Sequence, residues 1–140
     1  MRPERGYAVE NVPVILVVED DQLVQSVVEE TLTEGGFEVA IAPSGEDALE
    51  LLNASEGIYR ALVTDINLNP GKVSGWDVAR HAREIDPNFP VVYISGRDAE
   101  DWSAKGVPNS IMLAKPFAPA QLVTAVSQLI NAGSPPNAPA

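Results

Sequence analysis

The sequence contains no cysteine and few basic residues. Without cysteine the chain forms no disulfide, performs no thiol chemistry and offers no thiolate to a metal, which fits a reducing compartment. Nine lysine and arginine residues stand against twenty aspartate and glutamate residues, so the formal net charge is −11. Because nucleic acids and anionic membranes attract clustered basic side chains, this balance predicts that the protein binds neither of them directly.

Long apolar runs are absent as well. No run approaches the roughly 20 residues that a membrane-spanning helix requires, and residues 1–13 lack the apolar core of a signal peptide. We therefore expect a soluble, cytoplasmic protein. Its 140 residues suffice for one domain with a substantial core. The pattern predicts a flexible arm over residues 1–12, a folded domain over 13–132 and a disordered tail over 133–140.

Short apolar runs alternate with helical patterns along the folded part. Apolar runs of this kind, rich in β-branched residues, suit strands that are covered on both faces, as in a parallel sheet. Strict alternation of five strands with five helices predicts an α/β fold with a doubly wound parallel sheet. The strands are predicted at 14–19, 37–41, 59–64, 90–94 and 110–114, and the helices at 21–34, 44–53, 76–85, 99–105 and from 119 onward.

The first helical segment begins at Asp21 and ends before Gly35. Its apolar residues recur at the 3.6-residue period that is typical of a helix packing one face against a core. This stripe consists of Leu23, Val24, Val27, Val28, Thr31 and Leu32.

Reactive side chains stand where the predicted strands end. The first strand ends in Glu19 and Asp20, the third in Asp65, the fourth in Ser95 and the fifth in Lys115. The carboxyl ends of parallel strands lie along one edge of the sheet, so these five side chains are expected to share a cleft. Each residue has an ordinary explanation alone, as a helix cap, a turn former or a surface charge. Their joint placement instead favours a single site.

The chemistry of this set favours phosphoryl transfer. An aspartate such as Asp65 can act as a nucleophile and form an aspartyl phosphate. Asp20 and Glu19 offer the oxygen ligands that Mg2+ prefers, and Mg2+ neutralises phosphoryl oxygens during in-line transfer. The hydroxyl of Ser95 and the ammonium of Lys115 can each contact a phosphoryl oxygen.

Four segments in order, 15–21, 62–68, 91–96 and 113–117, make the sequence similar to the receiver domain of bacterial two-component response regulators. The resemblance spans roughly residues 13–132 and implies the flavodoxin-like strand order 2-1-3-4-5.

For the site, the resemblance implies that Asp65 is the phosphoacceptor and that a histidine kinase or a histidine phosphotransfer protein is the donor. It implies that Mg2+ is bound by Asp20 directly, by Glu19 through water and by the backbone carbonyl of Asn67, with Asp65 also in the metal site. It also implies a cis peptide bond before Pro116.

For function, the resemblance implies a signalling switch rather than an enzyme, with only weak, Mg-dependent autophosphorylation and autodephosphorylation. The phosphoryl group would draw Ser95 and Lys115 inward and favour a second surface conformation. A downstream protein would then bind the face formed by the fourth helix, the fifth strand and the fifth helix. We expect a stand-alone receiver.

Four positions depart from the family pattern or leave alternatives open. Met112 stands where the family usually has a switch tyrosine or phenylalanine, so it either fills the vacated space or packs in the core. Tyr93 either contributes to the switch or is an ordinary buried aromatic. Lys72, in a loop two residues longer than usual, either meets a partner or is solvated. Trp102 is either an interface anchor or a half-buried packing residue.

Other functions remain possible from the sequence. The chain could be a receiver-like interaction module that is not phosphorylated, or a receiver domain excised from a hybrid histidine kinase. A phosphohydrolase resembling the haloacid dehalogenases is disfavoured, because those enzymes carry their nucleophile on the first strand with a second acid two residues on.

Overall fold

A five-stranded parallel sheet forms the centre of the molecule. The computed structural model describes residues 12–54, 58–69, 71–97 and 99–132, so the predicted tail and all of the predicted arm except Val12 lie outside it. The strand order is β2-β1-β3-β4-β5, which confirms the predicted topology. The strands are β1 (Val14–Val18), β2 (Glu38–Ala42), β3 (Tyr59–Asp65), β4 (Val91–Ser95) and β5 (Ile111–Ala114).

Helices connect the strands and cover both faces of the sheet. Within the described ranges they are α1 (Gln22–Glu34), α2 (Gly45–Ala54), α3 (Gly75–Ile85), α4 (Trp102–Lys105) and α5 (Pro119–Ala132), with a 3-10 turn at Ala99–Asp101. None of them is long and apolar enough to cross a bilayer.

Side-chain caps fix where two of the helices begin. The Asp21 carboxylate accepts hydrogen bonds from the backbone N–H groups of Leu23 and Val24, so α1 begins directly after the acids that follow β1. Ser74 and Asp77 form a reciprocal capping box at the start of α3. Both caps lie at the edge of the sheet where the strands end, and they hold the loops around that edge.

The core consists of two layers, one on each face of the sheet. Successive strand residues point to opposite faces, so each strand contributes to both layers. The first core layer joins the sheet to α2 and α3, and the second joins it to α1 and α5. Strand residues of the first layer include Leu16, Val18, Leu62 and Tyr93, and those of the second include Ile15, Val17, Val63 and Ile94.

The apolar stripe of α1 is wider than the face that the helix buries. Val28, Thr31 and Leu32 are buried, but Leu23 is 80% exposed and Val27 is 54% exposed. At about 100° per residue the six-residue stripe covers roughly half of the helix circumference, more than a flat sheet can cover. The two exposed side chains lie at one margin of the stripe, so only part of the predicted stripe packs against the core.

Candidate functional site

Four of the five side chains predicted to converge lie together at the carboxyl edge of the sheet, and the fifth residue, Ser95, stands at the end of β4 on the same edge. Ligand oxygens of Glu19, Asp20 and Asp65 are all within 4.8 Å of one another. The ammonium nitrogen of Lys115 lies 2.9 Å from Asp65 Oδ2 and 3.3 Å from Glu19 Oε1. The backbone N–H of Lys115 also donates to the carbonyl of Ser95 at 2.8 Å, which holds the ends of β4 and β5 side by side.

Asp65 is held as an oriented, largely buried carboxylate. Its Oδ1 accepts the backbone N–H of Ile66 at 2.6 Å, and its Oδ2 accepts the Lys115 ammonium. The backbone behind it is packed so closely that a Cβ on Gly75 would lie 1.9 Å from the Asp65 carbonyl oxygen. Only glycine leaves room for this approach of α3 to the end of β3.

Glu19 is completely buried, and its side chain is fixed at both oxygens. Oε2 accepts the backbone N–H of Asp21 at 3.0 Å, while Oε1 faces Lys115. Burial raises the pKa of Glu19 to about 7. The Asp21 hydrogen bond opposes this shift, and the charge of Asp65 adds to it. A carboxyl of this kind exchanges a proton near neutral pH.

Lys115 balances part of the negative charge. Burial disfavours its charged form, but the hydrogen bond and attraction of Asp65, together with those of Glu19, outweigh burial and raise the pKa of Lys115 above its ordinary value. Lys115 therefore remains a cation that can meet an anionic group at Asp65.

The donor set fits a hard divalent cation. Three carboxylates facing one ammonium leave an excess of negative charge when all three are ionised, and carboxylate oxygens are the ligands that Mg2+ prefers. Asn67 follows Asp65 by two residues, at the start of the loop before α3. Ligation by its carbonyl stays a prediction.

Ser95 and Met112 occupy different surroundings. Ser95 is buried at the end of β4, and its hydroxyl oxygen accepts the backbone N–H of Arg97 at 3.2 Å. Met112 does not lie in the cleft: it pairs with Tyr93 across β4 and β5 and packs, partly buried, against the first core layer. The switch roles of Ser95 and Met112 stay predictions. The peptide bond between Lys115 and Pro116 is cis, the geometry that the resemblance implies.

The long loop after Asp65 is anchored to α2 by a contact that no pattern in the sequence predicts. The backbone N–H of Lys72 donates to Glu46 Oε2 at 3.0 Å, and this hydrogen bond lowers the pKa of Glu46. Gly71, at a φ of +135°, passes so close that a Cβ there would lie 2.8 Å from Glu46 Oε1. Three residues before Lys72, the N–H of Asn69 donates to Asp20 Oδ2 at 3.3 Å.

An open apolar groove lies beside Lys115, and we call it the α1 rim. It includes the exposed Leu23 and Val27 of α1 and the segment from Lys115 to Phe117. No spacing in the sequence could identify this groove, because its two sides come from α1 and from the loop after β5.

The fold and the site can be compared with known proteins. Residues 15–127 match the response regulator receiver domain. The transcriptional regulatory protein CusR of Escherichia coli K12 is 31% identical over 122 residues, which cover 86% of this chain and 52% of CusR. PrrA of Mycobacterium tuberculosis is 37% identical over 121 residues, 85% of this chain and 50% of PrrA. This chain thus spans about half the length of these curated relatives.

Solved structures show the same likeness along the whole domain. A response regulator receiver protein from Sinorhizobium medicae WSM419 is 48% identical, with a TM-score of 0.84 over 88% of this chain and 98% of that one. A response regulator receiver domain from Clostridium thermocellum is 25% identical, with a TM-score of 0.78 over 86% and 96% of the two chains. This chain therefore belongs to the response regulator receiver domain family of two-component systems.

Proposed function

We propose that this chain is a phosphorylation-activated switch that accepts a phosphoryl group on Asp65 from a histidine kinase or a histidine phosphotransfer protein. The observation that carries the proposal is the Asp65 carboxylate, held between the Ile66 N–H and the Lys115 ammonium and beside Glu19 and Asp20. An oriented carboxylate with a cation beside it suits nucleophilic attack on phosphorus.

In the proposed reaction, a carboxylate oxygen of Asp65 attacks the phosphorus of phosphohistidine in line. The new O–P bond forms as the N–P bond breaks, and the imidazole leaves with that electron pair. Lys115 and Ser95 then contact phosphoryl oxygens through their ammonium and hydroxyl groups. This chain supplies position and charge, and its own catalysis is limited to weak autophosphorylation and autodephosphorylation.

The metal in this proposal is Mg2+. Asp65 and Asp20 would hold it directly, Glu19 through water, and Asn67 through its backbone carbonyl. When bound, Mg2+ supplies charge neutralisation for the phosphoryl oxygens. The three clustered carboxylates support this assignment, because their mutual repulsion is relieved by a cation.

The α1 rim is the surface that we assign to the phosphodonor. For in-line transfer the donor histidine must reach Asp65, so the donor protein has to contact the surface next to Lys115. Leu23 and Val27 lie there with their apolar side chains in solvent, and a protein partner would remove that apolar surface from water. Because such donors draw their phosphoryl group from ATP, we place the reaction in the cytoplasm.

The output is a change of surface conformation. Phosphorylation at Asp65 would draw Ser95 and Lys115 toward the phosphoryl group and favour a second arrangement of the face formed by α4, β5 and α5. A downstream protein would recognise that face. Trp102, which is 36% exposed in α4, supplies an aromatic side chain of the kind that anchors protein interfaces.

The proposal is tested by intact mass after incubation with acetyl phosphate and Mg2+. We expect the wild-type chain to gain one phosphoryl group and Asp65→Asn to gain none. Asp101→Asn, which makes the same charge change on the surface, is the matched control and should be phosphorylated normally. A chelator should abolish the gain. A folded wild-type chain that binds Mg2+ but is phosphorylated by neither acetyl phosphate nor a phosphohistidine donor would instead be a constitutive interaction module.

A further inference from the structure

A chain of hydrogen bonds joins the buried Tyr93 of β4 to the exposed Trp102 of α4. The backbone N–H of Val107 donates to the Tyr93 hydroxyl oxygen at 3.0 Å. The Ser110 hydroxyl donates to the carbonyl of Val107 at 2.6 Å, and the indole N–H of Trp102 donates to the Ser110 hydroxyl oxygen at 2.9 Å. The links form a continuous connection from the core to the surface.

Tyr93, at the inner end of this series of hydrogen bonds, is coupled to the site. Tyr93 lies two residues before Ser95 in the same strand, so both side chains point to the same face of the sheet. Tyr93 is completely buried, and its ring centre lies 4.8 Å from that of Trp76. A tyrosine packed this closely follows any displacement of its strand, because a dense core has no room for independent movement.

The outer end is held in one orientation. A Cβ at Gly106 would lie 2.3 Å from Trp102 Cδ1, so the indole lies directly over this glycine. The same placement brings the indole nitrogen to Ser110. The position of Trp102 at the surface therefore depends on the segment from Val107 to Ser110, which Tyr93 holds from the inside.

Met112 has no equivalent connection. Its thioether has no hydrogen to donate, and its side chain packs next to Tyr93 against the first core layer. At this position β5 therefore has no aromatic ring, and the aromatic ring next to Met112 is that of Tyr93 in β4.

We propose that Tyr93 is a positioning residue that couples phosphorylation at Asp65 to the exposed indole of Trp102 through Val107 and Ser110. This inference rests on the proposed function, because it assigns the route by which that switch reaches its surface. When Ser95 is drawn toward the phosphoryl group, β4 carries Tyr93 with it. The hydrogen bond to Val107 then moves the turn that holds Trp102.

The test uses the full chain with nitrogen-15 in its two tryptophan indoles, each of which gives its own N–H signal. Trp102→Phe identifies the two signals. Acetyl phosphate with Mg2+ is the probe, and intact mass on the same samples gives the fraction phosphorylated. The variants are Tyr93→Phe, which removes only the hydroxyl, and Ser110→Ala, which removes the middle link. The matched control is Tyr59→Phe, because Tyr59 is a partly buried tyrosine of β3 that lies outside this series of hydrogen bonds.

Phosphorylation is expected to shift the Trp102 signal in the wild-type chain and in Tyr59→Phe. Tyr93→Phe and Ser110→Ala should take up as much phosphoryl group as the wild type but lose most of this shift. The variant that combines Tyr93→Phe and Ser110→Ala should lose no more of the Trp102 shift than the more affected single variant, because both substitutions break the same route.

An undiminished Trp102 shift in fully phosphorylated Tyr93→Phe would overturn the inference, as would the absence of any shift in the phosphorylated wild type. If Tyr93→Phe fails to fold, Ser110→Ala decides by the same criterion. The mass measurement separates these outcomes from failure of the proposed function, in which the wild-type chain takes up no phosphoryl group at all.

Discussion

Glu19 shows how burial adapts a single side chain at this site. It is a carboxyl with no exposed surface, next to Asp65 and Lys115, and its pKa is raised to about 7. Near neutral pH the metal-free site therefore holds fewer negative charges than its three acids suggest. A divalent cation that binds the ionised form must displace the proton of Glu19.

Mg2+ affinity should consequently fall as the pH is lowered through 7. At pH 6 Glu19 is mostly protonated and at pH 8 mostly ionised, so we expect roughly tenfold weaker binding at pH 6. Calorimetric titration with Mg2+ in buffers of different ionisation enthalpy measures both the affinity and the proton release. Glu19→Gln should bind with little pH dependence between these values and release no proton.

The raised pKa of Glu19 has the opposite effect on the stability of the metal-free protein, which falls as the pH rises. Because the pKa is higher in the folded than in the unfolded chain, the folded state binds more protons between about pH 4.5 and 7. The contribution of Glu19 to stability is fully present below that window and is lost as the pH rises through 7.

For the Mg2+ prediction, an affinity in the wild type that is equal at pH 6 and pH 8 would contradict the role given to the Glu19 proton.

At the scale of elements, the loop between β3 and α3 is the part of the site held from outside. Its residues contact α2 through Glu46 and the acids after β1 through Asp20. Gly45 also meets this loop, since a Cβ there would lie 2.5 Å from the Val73 carbonyl oxygen. Residues 69 and 71–73 of this loop are therefore held in place and form one wall of the cleft.

Glu46→Ala should loosen this wall without unfolding the domain. Loss of the carboxylate removes the acceptor for the Lys72 N–H, so this amide should exchange its hydrogen several-fold faster while core amides of β3 keep their protection. Hydrogen exchange monitored by NMR measures both. Glu50→Ala, which removes the same charge from the same helix, should leave the Lys72 amide unchanged, and equal effects of the two variants would rule out the anchor.

At the scale of the whole molecule, the sequence predicts the arrangement of the strands and their end residues but not how the helices are covered. The sheet order, the meeting of Asp20, Asp65 and Lys115, and the position of Ser95 at the same edge follow from patterns within each segment, because parallel strands bring their ends to one edge. Periodicity identifies the apolar residues of α1 but not how much of the helix the sheet covers, so the exposure of Leu23 was missed.

Contacts between distant segments are a second class that local patterns do not reveal. Glu46 meets Lys72 across 26 positions, and Tyr93 meets Val107 across 14. Each of these is a side chain on one element that binds the backbone of another. Neither pair has a local pattern that names its partner, so only the folded arrangement identifies them.

The exposed apolar surface leads to a prediction for the molecule as a whole. If the α1 rim receives the phosphodonor, Leu23→Ser should reduce phosphoryl transfer from a phosphorylated histidine kinase by about tenfold, which corresponds to the loss of one buried leucine. Phosphorylation by acetyl phosphate, which needs no docking surface, should be unchanged. The rate of transfer to each variant, followed by the label on the kinase, measures the effect.

Ile58→Ser is the control, because Ile58 is 53% exposed but precedes β3 at the opposite edge of the sheet. It should accept phosphoryl groups from both donors at the wild-type rate. If Leu23→Ser and Ile58→Ser are equally impaired with the kinase, the α1 rim is not the docking surface.

We propose that Asp65 carries an acyl phosphate, and reductive trapping tests for that bond directly. Borohydride reduces an aspartyl phosphate to homoserine, and peptide mass spectrometry locates the converted residue. After treatment with acetyl phosphate and Mg2+, we expect homoserine at position 65 and no other aspartate converted. Conversion at Asp20, or at no aspartate in a chain that has gained phosphoryl mass, would contradict it.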